Sequence, residues 1–183
     1  MTVTPLAGSF PTNQDLDPVR LREAFGVFPS GVVAVAATVA GEPVGLAASS
    51  FTSVSLDPAL VSFSVANSSR TWPTLRRADH LGVTVLADHH GAACRRLAGP
   101  VEQRFADLAW TAHADGAVTL DDGLARFDCT IHREVEAGDH TLVLLRLHRY
   151  DHDRAGTAHP AHEQAGPLVF HRSGFRSVSA HVG

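Results

Sequence analysis

Two short polar stretches hold the side chains best suited to chemistry. The first, at 47–55, is a run of small and hydroxyl residues: Ala47, Ala48, Ser49, Ser50, Phe51, Thr52, Ser53, Val54 and Ser55. One strand-length later come Asn67, Ser68, Ser69, Arg70 and Thr71. Small side chains let backbone N–H groups reach a flat ring or a phosphate, hydroxyls add donors, and an arginine holds a phosphate through two parallel bonds. A Ser/Thr-rich strand followed by a polar turn has the same composition, so spacing alone leaves both readings open.

The motifs that are missing narrow the chemistry. Neither G-x-G-x-x-G nor G-x-x-x-x-G-K-[ST] occurs, so a nucleotide would need a cradle other than a Rossmann turn or a P-loop. H-E-x-x-H and G-x-S-x-G are absent too, which lowers zinc proteases and serine hydrolases in rank. Of the 12 histidines, the nearest clusters are His89 with His90, and His152, His159 and His162. Their spacing matches no ligand template, so surface histidines and no metal are expected. Cys94 and Cys129 read as buried free thiols. Arg76 with Arg77 and Arg95 with Arg96 read as solvated helix faces, and Trp72 and Trp110 as packing residues.

The rest of the chain must position these groups. Its 183 residues, 44% hydrophobic and 19% charged, suit one folded domain with an ordinary core. Fifteen basic against 19 acidic residues give a net charge of −4, which offers no electrostatic footprint for nucleic acid or anionic lipid. Residues 1–10 lack a basic, then apolar, leader pattern, and no stretch reaches the ~20 apolar residues of a membrane span, which points to the cytoplasm.

Periodicity supplies the elements. Residues 1–16 read as a flexible arm and 17–178 as the folded domain. Asp17 and Pro18 predict a helix start, and Leu21, Ala24, Phe25 and Phe28 recur on one face, so the helix is expected to run to Phe28. Strands are expected at 32–39, within 45–58, at 60–65 and at 81–86. A short helix is expected from Trp72, another from an Asp88 cap through Leu97, and a helical piece at 101–108. Phe127, Cys129, Ile131, Arg133 and Val135 alternate with polar residues, and a turn at Gly138 and Asp139 feeds a strand from His140 to Arg149, the best hairpin in the chain. The polar segment 151–166 reads as a surface loop, and a short strand and turn close the chain at 167–175. Many short antiparallel strands without βαβ alternation predict a β-barrel with peripheral short helices.

Six segments in order, FPSGVVAVAA, GLAASSFTSVSLDPAL, SSRTW, RF, EAGDHTLVLLRL and PLVFHRSGF, resemble the flavin reductase-like family. The resemblance spans about 21–176, and SSFTSVSLDP together with GDHT is its most specific part. It implies a mainly β, antiparallel Greek-key split barrel that binds FMN, usually as a homodimer with the flavin near the interface. It also implies reduction of FMN or FAD by NADH or NADPH, with the reduced flavin passed to a partner flavin-dependent monooxygenase. A split-barrel sensor or carrier that binds flavin without turnover would share the binding motifs and is the alternative.

Carried over by residue, the family's ring- and ribityl-contacting segment matches Ala47, Ala48, Ser49, Ser50 and Phe51, with Ser53 and Ser55 on the following stretch. Its phosphate side matches Asn67, Ser69, Arg70 and Thr71. The GDH turn matches Gly138, Asp139 and His140, and implies a His140 near flavin and nicotinamide; without that context His140 reads as a hairpin residue satisfied by Asp139 or backbone. The closing turn matches His171, Gly174 and Phe175. Ala47 stands where members often have Thr, which removes a hydroxyl, and Ala59 stands where they often have a second Pro. Hydride passes directly from nicotinamide to flavin N5, so the resemblance asks the protein mainly for alignment.

Overall fold

A computed structural model describes residues 16–152 and 165–178. The arm at 1–15 and the loop residues 153–164, with His159 and His162, lie outside the described residues.

The first helix, α1 (Pro18–Phe25), starts as expected: the Asp17 carboxylate accepts the Val19 and Arg20 N–H groups at 2.9 and 3.1 Å, with Pro18 in the first turn. It ends at Phe25, short of Phe28, because Val27 and Phe28 turn back to the Ala24 and Phe25 carbonyls. No residue of α1 is buried, so no packing carries it further.

Five strands follow, β1 (Ser30–Gly31), β2 (Val33–Val39), β3 (Glu42–Ala48), β4 (Thr52–Leu56) and β5 (Ala59–Ala66). Then come α2 (Trp72–Leu75), β6 (Leu81–Val85), α3 (Gly91–Leu97), β7 (Trp110–Ala112), β8 (Val118–Leu120), β9 (Ala125–Ala137), β10 (His140–His152), β11 (Val169–His171) and β12 (Gly174–Arg176). Seven strands form one antiparallel sheet in the order β3-β2-β6-β9-β10-β5-β4. β3 and β4 are its opposite edges, yet only residues 49–51 separate them in the chain. Laid flat, six gaps of ~4.8 Å would put the edges about 29 Å apart, whereas four Cα steps reach roughly 14 Å. The sheet must therefore roll up, and the expected barrel with peripheral helices is what forms.

The long hairpin splits its pairing. β9 gives residues 125–129 to β6, and β10 gives residues 140–146 to β5. Val33, Val35, Phe63, Leu81, Val83, Cys129, Val143 and Leu145 fill the barrel, and α2 adds Trp72 and Leu75, with Trp72 edge-on to Phe63 at 5.5 Å. The opposite face of β2 and the residue before it, Ala34 and Val32, pack with Leu86, Cys94, Leu97 and Leu168. Burial on both faces explains an apolar run rich in alanine.

Several elements differ from expectation. Asp88 does not cap a helix: Asp88–His90 is a 3₁₀ turn, α3 starts at Gly91, and Asp88 pairs through its backbone with Gly166. The piece at 101–108 is only a 3₁₀ turn, Val101–Gln103, because Arg104 is drawn away to other elements and Asp107 takes a φ of 56°. The alternation in β9 slips by one where Arg133 faces Leu144 but Ile131 faces Leu145, leaving His132 as an extra residue. Beyond it Glu134 turns toward Trp72 while Val135 is exposed. His90 is buried, not a surface residue, with Nδ1 accepting the Ala87 N–H at 3.0 Å.

Both cysteines are free and buried. Burial pushes the Cys129 thiol up to about 12, with the Asp128 charge adding to it, and raises Cys94 against the opposing pull of Arg95. Neither thiol is expected to react with an aromatic disulfide reagent at pH 8 in the native protein. Both should titrate once it is denatured, and rapid native labelling of Cys129 would contradict its burial.

Candidate functional site

The C-terminal end of β5 is the rail on which the site is built. The Ser50 hydroxyl sits over Ser64, accepting its N–H at 2.8 Å and donating to its carbonyl at 3.1 Å. Two residues on, Ala66 pairs with His140, and Asn67 follows. At ~3.3 Å per residue the Ser64 and Ala66 stations lie about 7 Å apart. The two polar stretches of the sequence thus meet along one strand, with the hairpin tip beside them.

Beside this rail a groove of about 790 Å³ is walled by Arg22, Phe25 and Phe28 after and within α1, by Ser49, Ser50, Phe51 and Thr52, and by Phe170 and Ser173. That volume is in the range of small-molecule and cofactor sites. The connector residues Ser49, Ser50 and Phe51 are therefore in place as a group. Ala47 and Ala48 straddle β3: Ala48 packs inside the barrel and Ala47 against the outer cluster, so what this strand offers one ligand is backbone. Phe51 also packs on the barrel core and stacks on Phe127 at 6.1 Å. Ser53 and Ser55 lie on β4 opposite Val61 and Leu60 and do not line the groove. Phe175 packs edge-on to Phe170 at 5.7 Å, with the Arg95 guanidinium 5.7 Å over its ring, and does not itself line the groove. Gly174 and His171 close a two-residue turn in which Arg172 and Ser173 both have positive φ.

Past Asn67 the chain forms a cationic corner. Ser69 Oγ accepts the Trp72 N–H at 3.2 Å, and Thr71 Oγ1 accepts Arg104 Nη1 at 2.6 Å. Arg104 also donates to the Gly45 carbonyl at 2.8 Å and the Gly99 carbonyl at 3.0 Å, tying β3, the 99–104 turn and α2 together. Burial lowers the Arg104 pKa first, the nearby Arg70 charge lowers it further, and Glu102 opposes both. Arg70 is exposed and enters no ion pair among the described residues. Two neighbouring guanidiniums, one unpaired, favour an anion. From the sequence Arg104 is legible only as part of the 101–108 piece, with no role in the site, because its partners lie up to 59 positions away.

At the hairpin tip Gly138 has a φ of 66°, the first central position of a type II′ turn. His140 Nδ1 pairs with Asp139 Oδ1 at 2.7 Å, the partner that sequence reasoning named for it. That hydrogen bond, then the imidazole charge, holds the Asp139 carboxyl below the usual range, and Arg22 of α1 adds to the effect. Asn67 does not turn its amide toward Arg70. Its N–H donates to the Asp139 carbonyl at 2.9 Å, its Nδ2 to the Gly138 carbonyl at 3.1 Å, and its Oδ1 accepts Thr141 Oγ1 at 2.9 Å.

Residues 25–179 match the family model described as flavin reductase like domain. The chain is 34% identical over 166 residues to a flavin reductase from Pseudomonas putida, covering 90% of this chain and 92% of that one. It is 40% identical over 132 residues to a stachydrine N-demethylase reductase subunit from Rhizobium meliloti, covering 72% of this chain and 57% of that one. The chain spans about half the length of some curated relatives, 57% of this one and 45% of a second from the same organism. The solved structure of a Streptomyces globisporus NADH:FAD oxidoreductase, in complex with NAD and FAD fragments, superimposes with a TM-score of 0.81 at 29% identity, covering 96% of this chain and 100% of that one.

Proposed function

Because the chain belongs to the flavin reductase like domain family, we propose that it is an NAD(P)H-dependent flavin reductase that supplies reduced FMN or FAD to a partner flavin-dependent monooxygenase. The observation that carries this reading is an aromatic-walled groove beside β5 and, past the end of that strand, the exposed Arg70 guanidinium with Arg104 near it. A flavin nucleotide joins a flat apolar ring to an anionic phosphate, and the residues present suit both ends.

Reduced nicotinamide supplies a hydride and the flavin ring accepts it at N5, so no acid or base is required for the transfer itself. The protein's task is alignment. In this reading Arg70, supported by Thr71 and Arg104, holds the phosphate. The backbone of Ala47 and Ala48 and residues Ser49, Ser50 and Phe51 border the ring and its sugar alcohol chain. Phe25, Phe28 and Phe170 give the groove its aromatic wall. His140, held by Asp139, presents its Nε2 for a hydrogen bond to flavin or nicotinamide.

Residues 17–178 are the catalytic domain in this reading. A second copy of the chain covers α1 and the turn after it: Val19, Phe25 and Phe28 are 60%, 70% and 78% exposed, apolar surface that a lone copy would leave in water. Sedimentation at twice the chain mass is expected, and a monomer would count against it. No helix among the described residues is long and apolar enough to cross a membrane. A cytoplasmic setting, where reduced nicotinamides are made, agrees with two free cysteines.

The test is turnover. NADH or NADPH oxidation should saturate with added FMN or FAD and continue for many cycles per protein molecule. A protein that binds flavin tightly yet oxidises neither donor would be a carrier instead.

A further inference from the structure

We propose that Asn67 is a positioning residue for His140, coupling the turn at 67–71 to the hairpin tip that carries His140. The inference rests on the reading of His140 above and deepens it. Asn67 grips the tip at three points, the carbonyls of Gly138 and Asp139 and the hydroxyl of Thr141, and so holds the backbone on both sides of His140.

Folding alone does not call for this clamp. His140 is already paired across both neighbouring strands, with Ala66 and Ala137, and the ladder beyond it is continuous to Arg146 on the β5 side. The turn itself is bare: a Cβ on Gly138 would meet nothing within 4 Å, and the Asp139 side chain is 91% exposed. Asn67 bonds the Gly138 and Asp139 carbonyls and the Thr141 hydroxyl, groups that flank the imidazole and its carboxylate partner along the chain. An exposed tip without it would sway on its two-residue turn, and the Asp139 to His140 hydrogen bond would sway with it.

The same residue begins the turn that carries Ser69, Arg70 and Thr71. Its backbone therefore feels any movement of Arg70 toward an anion, and its side chain passes that movement to the tip. Asparagine suits the role because one side chain donates and accepts at once; aspartate keeps the shape but loses the donor to Gly138.

The test uses the full chain and the variants Asn67→Ala, Asn67→Asp and His140→Gln. Without flavin, carboxyl NMR should show Asp139 titrating below the usual aspartate range in the parent and closer to it in both Asn67 variants. With flavin, kcat should fall by about tenfold or more in both variants, while the flavin Kd changes less than threefold and the melting temperature stays within about 2 °C. Either an unmoved Asp139 titration with unchanged kcat, or a Kd loss with unchanged kcat, would overturn the proposal; the second would make Asn67 a phosphate contact. Wild-type kcat in His140→Gln would overturn it differently, by removing the role of His140 on which it stands.

Discussion

Gly82→Ala should lower the stability of the barrel by about 3 kcal/mol or more, a shift of roughly 6–12 °C in the melting temperature for a chain of this size. Gly82 lies in β6 between Ala36 of β2 and Asp128 of β9. β8 crosses over it so closely that a Cβ would overlap the Val118 carbonyl and stand 2.9 Å from the Val118 nitrogen. The obstacle is backbone, and it cannot swing aside. Thr38 donates to the Gly116 carbonyl at 2.8 Å, Ala37 bridges Ala117, and Leu120 donates to Thr84 Oγ1 at 3.0 Å, so β8 is anchored on both sides. Gly31→Ala is the control: a Cβ there meets nothing within 4 Å, and its melting temperature should match the parent. Equal melting temperatures for Gly82→Ala and the parent would mean that β8 does not lie where described.

Arg70→Ala should weaken FMN binding by roughly 1.5–3 kcal/mol, the usual worth of a charge-assisted hydrogen bond, or about ten- to a hundred-fold in Kd. Riboflavin, which lacks the phosphate, should bind both proteins alike. The melting temperature should not fall, because Arg70 has no ion-pair partner to lose among the described residues and its charge lowers the pKa of Arg104. Arg104→Ala should differ, losing affinity and stability together as the Gly45 and Gly99 carbonyls and Thr71 lose their shared donor. Isothermal titration with the two ligands separates these cases. An equal loss for riboflavin and FMN would move the phosphate away from this corner.

What was legible in the sequence was local. The β9–β10 hairpin followed from alternation and one glycine-bearing turn, the Asp17 cap from two adjacent residues, and the β5 faces from Val61, Phe63 and Val65. The bulge at His132 was not, because a one-residue slip leaves composition untouched and reverses only which side chains face the core. The strands β7 and β8, three residues each, are too short to show a period. The site divides the same way. Its hydroxyl-rich connector could be picked out by residue type, whereas Arg22 of α1 on the groove wall and Arg104 at the cationic corner belong to it only through tertiary contacts. Asn67 was picked out by residue type, but the hairpin it clamps lies 71 to 74 positions away.

The most direct measurement of the central claim is anaerobic. With oxygen removed and protein present in trace amount, NADH and then NADPH are added to FMN or FAD, and the flavin absorbance near its visible maximum is followed. The account predicts rapid bleaching with at least one donor, first order in protein, and slowed in His140→Gln. Bleaching no faster than in protein-free buffer, with both donors and both flavins, would contradict it.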